Sequence, residues 1–77
     1  MPKIPVDKIA DRLKELRIAA GLTQKEAAAA LGMPEAMWQK YEWGERVPSL
    51  GKCVQIADLF DVSLDYLAGR SDDPTRK

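Results

Sequence analysis

The fold is decided by residues 32–48, which read GMPEAMWQKYEWGERVP. This stretch has the composition of one short helix between two glycines, and Pro34 suits the first turn of a helix because its missing N–H costs nothing there. At about 100° per residue, Met37, Trp38 and Tyr41 fall on one side of that helix. The opposite arc carries Glu35, Ala36, Gln39, Lys40 and Trp43. The stretch therefore predicts an amphipathic helix over about 34–43 whose large aromatic side chains are buried.

The residues before this helix also read as helical. Apolar residues at helical spacing predict a first helix over about 7–19, and Gly21 supplies its stop. Thr23-Gln24-Lys25-Glu26 then fits a capping box, in which the hydroxyl accepts a backbone N–H and Glu26 reaches back. An alanine-rich run follows, and Gly32 closes the second helix.

The residues after it read in the same way. Ser49 is a good N-cap for a helix over about 50–60 with a broad apolar face, and Ser63 caps a last short helix that ends near Gly69. No stretch shows the strict alternation of a strand. The sequence predicts an all-α chain of five helices.

Composition limits the function. The chain has 77 residues, enough for one domain, and its formal net charge is zero. It has no histidine and one cysteine, so the commonest general base, an internal disulfide and a cysteine-clustered zinc site are excluded. No apolar run approaches the roughly 18 residues of a membrane span, and no signal-peptide pattern is present. We expect a cytoplasmic protein that is not an enzyme and takes no metal or other cofactor.

Residues 21–50 and 56–69 together resemble the Cro and phage-repressor type of helix-turn-helix domain, the Xre-like group. They read GLTQKEAAAALGMPEAMWQKYEWGERVPSL and IADLFDVSLDYLAG, and the resemblance extends from about residue 9 to residue 69. It implies a compact, lambda-repressor-like bundle that binds double-stranded DNA in bacterial or phage transcriptional control, usually as a homodimer. On this interpretation residues 1–6 are an extended lead-in, 7–69 form the DNA-binding domain, and 70–77 are a disordered polar tail.

The resemblance also assigns roles to individual residues. Gln24 matches a residue that contacts a phosphate, and Trp43 and Arg46 match positions that touch the DNA backbone. The positions that face base edges or the adjacent backbone are Glu35, Ala36, Gln39 and Lys40. The predicted DNA-binding set is completed by Thr23, Lys25 and Pro34.

Arg17 and Glu42 have a different predicted role. In the family, an arginine at the end of the first helix pairs with the acid that precedes the glycine closing the third helix. Both residues stand at those positions here, which implies a structural ion pair that ties the first helix to the recognition helix.

The sequence departs from the family pattern in ways that keep a second function open. From Thr23 to Arg46 there are three basic and four acidic residues, Pro34 replaces a small hydroxyl residue, and Glu35 stands where a basic or amide residue is frequent. Glu35 could act only on the helix dipole, or its carboxylate could accept a hydrogen bond from cytosine. The alternative to a DNA-binding regulator is a protein-interaction module, an adaptor or antirepressor-like partner with little DNA affinity, in which Trp43 would anchor a protein partner.

Overall fold

The chain folds into five helices in the computed structural model, which describes residues 5–76. They are α1 (Val6–Ala19), α2 (Gln24–Ala30), α3 (Glu35–Glu42), α4 (Leu50–Phe60) and α5 (Leu64–Leu67), and residues 5–76 contain no strand. This confirms the predicted all-α fold of five helices. None of these helices is long and apolar enough to cross a membrane. The predicted extended lead-in, residues 1–6, lies mostly outside the described residues.

The helix starts follow the capping residues that the sequence offers. Oγ1 of Thr23 accepts from the backbone N–H of Glu26 and Oε1 of Glu26 accepts from the backbone N–H of Thr23, at 3.0 and 2.9 Å, which completes the capping box of α2. Ser49 and Ser63 cap α4 and α5 through their hydroxyl oxygens. Local sequence therefore determines where these three helices begin.

Pro34 differs from its prediction. It precedes α3 as the N-cap residue, with φ −65° and an extended ψ of 146°, and does not lie in the first turn. A proline side chain has no oxygen that could accept from the free N–H groups of the first turn, and no side-chain cap hydrogen bond is formed. The start of α3 is therefore fixed by the proline backbone and by the packing of the helix.

The core is formed where all five helices meet, and α2 contributes Ala27 and Ala28 to it. Trp38, Leu13 and Ile56 are fully buried, and Leu67 from the short α5 closes the same cluster. Trp38 lies edge-on to Tyr41, with ring centroids 6.4 Å apart and an interplanar angle of 73°. This packing anchors the inner side of α3 and fixes which side of the helix faces outward.

The connection between α2 and α3 is a tight turn. Gly32 has a positive φ of 65°, a backbone conformation that residues with a Cβ rarely adopt. Leu31, the residue before it, belongs to the core. Met33 donates its backbone N–H to the Ala28 carbonyl at 3.0 Å, which closes the end of α2. The turn holds α2 and α3 against each other at a fixed angle.

Residues 70–76, the polar tail, lie against the helices. Arg76 donates to the Ala57 carbonyl and to the Asp58 carboxylate at 3.1 and 2.7 Å, and Ser63 donates its backbone N–H to the Pro74 carbonyl. Asp72 accepts from Arg12 at 2.6 Å. These polar groups find partners on α1, at the end of α4 and at the start of α5.

Candidate nucleic-acid interface

The outer side of α3 presents the residues that the helical wheel predicted. Glu35, Ala36 and Lys40 are exposed and Gln39 is half-buried, while Trp38 and Tyr41 on the opposite side are buried. Because α3 is anchored through its aromatic side, this outer face is held in a fixed position. It combines a carboxylate, an amide and an ammonium group with a methyl group, so it can form hydrogen bonds of both polarities.

Trp43 and Arg46 lie where α3 ends. Trp43 is the C-cap residue and its side chain is 63% exposed, so its indole is free to contact a partner. Gly44 follows with a positive φ of 74°, which ends the helix and turns the chain away. Arg46 is exposed in the following loop. Both side chains are therefore accessible next to the outer face of α3.

The N-terminal end of α2 contributes Thr23, Gln24 and Lys25. Thr23 and Lys25 are exposed and Gln24 is half-buried. The hydrogen bond that the Thr23 backbone N–H donates to the Glu26 carboxylate lowers the pKa of Glu26, so this carboxylate is occupied by the cap. The start of α2 therefore presents Lys25 and the amide of Gln24 at the surface, beside the positive end of the helix.

The predicted ion pair between Arg17 and Glu42 is present in the structure. Arg17 Nε donates to Glu42 Oε2 at 2.6 Å and Nη2 donates to Oε1 at 3.1 Å. The side chains of Arg17 and Glu42 are 14% and 2% exposed. Arg17 Nη1 also donates to the Leu22 carbonyl at 3.0 Å. The guanidinium group thus joins α1, the loop before α2 and the end of α3.

Two further donors reach the same carboxylate. Trp38 Nε1 donates to Glu42 Oε2, and Gln24 Nε2 donates to Oε1 at 3.3 Å. Burial by itself would raise the pKa of Glu42, but the hydrogen bonds from Arg17, Trp38 and Gln24 outweigh it and hold that pKa below its ordinary value. Glu42 is therefore a carboxylate at neutral pH, and it acts only as an acceptor.

Gln39 joins this network through Gln24. Its Nε2 donates to Gln24 Oε1 at 3.2 Å. The sequence indicated that Arg17 and Glu42 pair but did not indicate the amide contacts. The contact between Trp38 and Glu42 does have a local signal, because these residues are one helical turn apart.

The network changes how the charge of this region is distributed. Of the four acidic residues between Thr23 and Arg46, Glu42 is buried and neutralised by Arg17. The exposed charges are then equal in number, three basic and three acidic. The negative balance read from the sequence is therefore not a property of the surface.

Within residues 5–76 no three His, Cys, Asp or Glu side chains converge in a way that could hold a metal ion. Cys53 is half-buried and donates from Sγ to the Pro48 carbonyl at 3.6 Å. The pKa of the Cys53 thiol is raised by burial, as is typical of a structural cysteine.

Comparisons with known proteins agree with this architecture. The sequence profile of the Helix-turn-helix family HTH_3 matches residues 13–67. An uncharacterized HTH-type transcriptional regulator of Bacillus subtilis, YobD, is 41% identical over 66 residues, which are 86% of this chain and 59% of YobD. The cryptic phage CTXphi transcriptional repressor RstR of Vibrio cholerae is 40% identical over 63 residues, 82% of this chain and 56% of RstR.

A solved structure shows the same fold. The restriction-modification controller protein C.AhdI from Aeromonas hydrophila superposes with a TM-score of 0.74 at 32% identity, covering 80% of this chain and 94% of that chain. The chain spans 59% and 56% of the two curated relatives. The likeness to both relatives and to the solved structure therefore concerns the helical domain.

Proposed function

The chain belongs to the helix-turn-helix family HTH_3, and we propose that it is a sequence-specific DNA-binding transcriptional regulator of bacterial or phage type. The observation that carries this function is the outer face of α3. Its side chains are exposed and capable of hydrogen bonding, while the inner side is anchored by Trp38. A helix of this width fits the major groove of DNA, where base edges carry distinct donors and acceptors. The function implies a cytoplasmic protein without catalytic activity.

The predicted contacts divide into two groups. Glu35, Ala36, Gln39 and Lys40 face the base edges and the adjacent backbone. The flanking residues that face phosphates are Thr23, Gln24, Lys25, Trp43 and Arg46. Pro34 lies beside them at the start of α3 and has no donor of its own. One N–H of the Gln24 amide is used by Glu42, which leaves the second for a phosphate oxygen. Phosphate contacts fix the register, and base contacts provide the specificity.

We propose further that the protein binds DNA as a homodimer. One short helix makes few base contacts, whereas two copies place their recognition helices about 34 Å apart, one turn of DNA. Leu50, Val54 and Leu64 are 75%, 42% and 42% exposed, and Val54 and Leu64 line one groove of ≈ 370 Å³ beside the tail. An exposed apolar patch of this kind is typical of an interface.

Tyr66 of α5 is less suitable for a dimer interface than this patch. It is half-buried, and the Arg12 guanidinium lies 3.7 Å from its ring centroid. One face of the ring is therefore already covered within the same chain. We place the interface on Leu50, Val54 and Leu64.

Selection of bound sequences from a random duplex pool tests the proposed regulator function. We expect an enriched site made of two half-sites in inverted orientation, one for each copy of α3. Lys40→Ala should weaken binding to that site, whereas Lys14→Ala, an exposed lysine of α1, should not. Enrichment of no sequence above the starting pool would contradict the function.

Exposed Trp43 favours a second candidate, a module that binds another protein. Tryptophan is enriched among residues that anchor protein interfaces, and this one is 63% exposed. Under this candidate function Trp43→Ala would abolish capture of the protein partner, and duplex DNA would not bind even at low salt.

A further inference from the structure

A directed chain of hydrogen bonds runs from the buried Glu42 to the outer face of α3. Gln24 Nε2 donates to Glu42 Oε1 at 3.3 Å, and Gln39 Nε2 donates to Gln24 Oε1 at 3.2 Å. Glu42 is ionised and can only accept, so Gln24 must turn its nitrogen toward Glu42. Its oxygen then faces Gln39, which must in turn present its own nitrogen. The charge of Glu42 thus determines the orientation of two successive amides.

Gln39 carries the last amide in this series of hydrogen bonds, and its oxygen is free. Within residues 5–76 no donor is hydrogen-bonded to Gln39 Oε1, and this atom is not among buried polar atoms that lack a partner. It is therefore accessible at the surface. One N–H of Gln39 also remains, because an amide nitrogen carries two hydrogens and Gln24 takes one.

The free groups of Gln39 match one base better than the others. An acceptor oxygen beside a donor N–H complements adenine, which presents the N6 amino group as donor and N7 as acceptor in the major groove. Guanine presents two acceptors there, N7 and O6, and would place O6 against the Gln39 oxygen. If the amide of Gln39 were free to turn over, it could present its nitrogen to guanine instead.

We propose that Gln39 is a specificity-determining residue that reads adenine, and that Gln24 is the positioning residue that fixes its orientation from Glu42. The inference rests on the proposed DNA-binding function. It gives Gln24 a second role beside its phosphate contact, and it extends the role of the Arg17–Glu42 pair from stability to base preference.

The test uses the full chain and the site selected from the random duplex pool. Gln39→Ala should lower the preference for an A·T pair at one position in each half-site. The expected decrease is roughly 5- to 150-fold, the range of a bidentate contact. Gln24→Met, which keeps the side-chain length but neither accepts nor donates strongly, should flatten the same base pair and also weaken binding to all sequences. Gln55→Ala, an exposed glutamine on α4, is the matched control and should behave as the parent chain.

The double variant separates positioning from a general structural effect. If Gln24 acts through Gln39, Gln24→Met in the Gln39→Ala background should cause no further loss of preference at that base pair. An equal loss in both backgrounds, a G·C pair at the Gln39-dependent position, or no change of preference in Gln24→Met would each overturn the inference and leave the DNA-binding function intact. Failure of the parent chain to select any site would overturn the function, and the inference with it.

Discussion

Glu42 is the residue on which the candidate interface depends. Its carboxylate is buried and receives hydrogen bonds from α1, from the start of α2 and from within α3. An ionised group removed from water is tolerated only where such partners compensate for lost hydration. The residue therefore holds α3 in place relative to the two helices before it, and its effect on DNA binding is indirect.

Loss of either partner of the Arg17–Glu42 pair should destabilise the fold. Arg17→Ala strands a buried carboxylate, and we expect a cost of about 3 kcal/mol, which corresponds to a Tm lower by roughly 10–25 °C in a domain of this size. A double-mutant cycle with Glu42→Ala should show strong coupling between the two residues. The exposed pair Arg70–Asp65, at 3.9 Å, serves as control and should couple by less than about 1 kcal/mol.

The same pair should make stability depend on pH. The pKa of Glu42 is lower in the folded chain than its ordinary value, so its contribution is fully present above about pH 4.3, the unfolded value, and is lost as the pH falls further. Glu42→Gln should remove part of this acid sensitivity. The role of the pair would be contradicted if the double-mutant cycle showed no coupling and if Glu42→Gln lost stability at low pH as the parent chain does.

Glu35 is an exposed acid on the side of α3 that we propose faces DNA. It is the first residue of α3, where a negative charge stabilises the helix by about 0.3–1 kcal/mol through the dipole. Glu35→Gln should therefore cost up to that amount and raise the affinity for random DNA, because repulsion from phosphates is lost. Chemical unfolding and a binding titration measure the two effects, with Glu45→Gln in the exposed loop as control.

We propose that the Glu35 carboxylate also accepts from the amino group of a cytosine. In that case Glu35→Gln lowers discrimination at one base pair by about 1–3 kcal/mol, and the selected sequences show the change at that position alone. A preference that is unchanged at every position would leave the helix dipole as the whole role of Glu35.

At the scale of the elements, the helix boundaries could be predicted from the capping residues. Which residues of each helix are buried in the core could be predicted less completely. The capping box at Thr23 and the serine caps of α4 and α5 are local signals, and the structure contains all three. The apolar side of α4 was also recognisable, but Leu50 and Val54 on it are exposed. How much of an apolar face is covered depends on the angle at which helices meet, which no local pattern contains.

The contacts of the interface show the same limit. The outer side of α3 could be predicted because helical spacing alone sorts its residues, and the family resemblance supplied the Arg17–Glu42 pair. The Gln24–Gln39 contact joins side chains of two different helices whose separation in space depends on the turn at Gly32. Its prediction needs the packed arrangement of α2 against α3.

The capping box of α2 should contribute to the stability of the fold. Thr23→Ala removes the hydroxyl that accepts from the Glu26 N–H, and we expect a loss of about 1 kcal/mol in the free energy of unfolding. Thr23→Ser keeps the hydroxyl and should remain close to the parent in a urea unfolding curve. Equal stability of the alanine and serine variants would show that the cap contributes nothing.

At the scale of the whole molecule, the exposed apolar patch should determine the oligomeric state. Leu50→Glu introduces a charge into the proposed interface and should produce a monomer in sedimentation velocity, with a folded far-UV spectrum and weaker binding to a two-half-site DNA. Ile18→Glu places the same charge on another exposed apolar residue, on α1, and should leave the dimer intact. A parent chain that sediments as a monomer both free and on its selected site would exclude the dimer.

The tail packs beside the exposed apolar patch. Residues 70–76 contact α1, α4 and the start of α5, and they form one side of the groove beside Val54 and Leu64. A second copy bound at the apolar patch would therefore also meet the tail. The proposed dimer interface and the tail belong to the same region of the surface.

The central claim is that this surface, although balanced in charge, binds duplex DNA through α3 and the residues that flank it. The most direct measurement is the affinity for a random-sequence duplex as a function of salt concentration. Each phosphate that is neutralised contributes about −0.9 to the slope of log K against log salt, so contacts from Lys25, Lys40 and Arg46 in two copies predict a slope of several units. A slope near zero, or no binding at low salt, would contradict the claim.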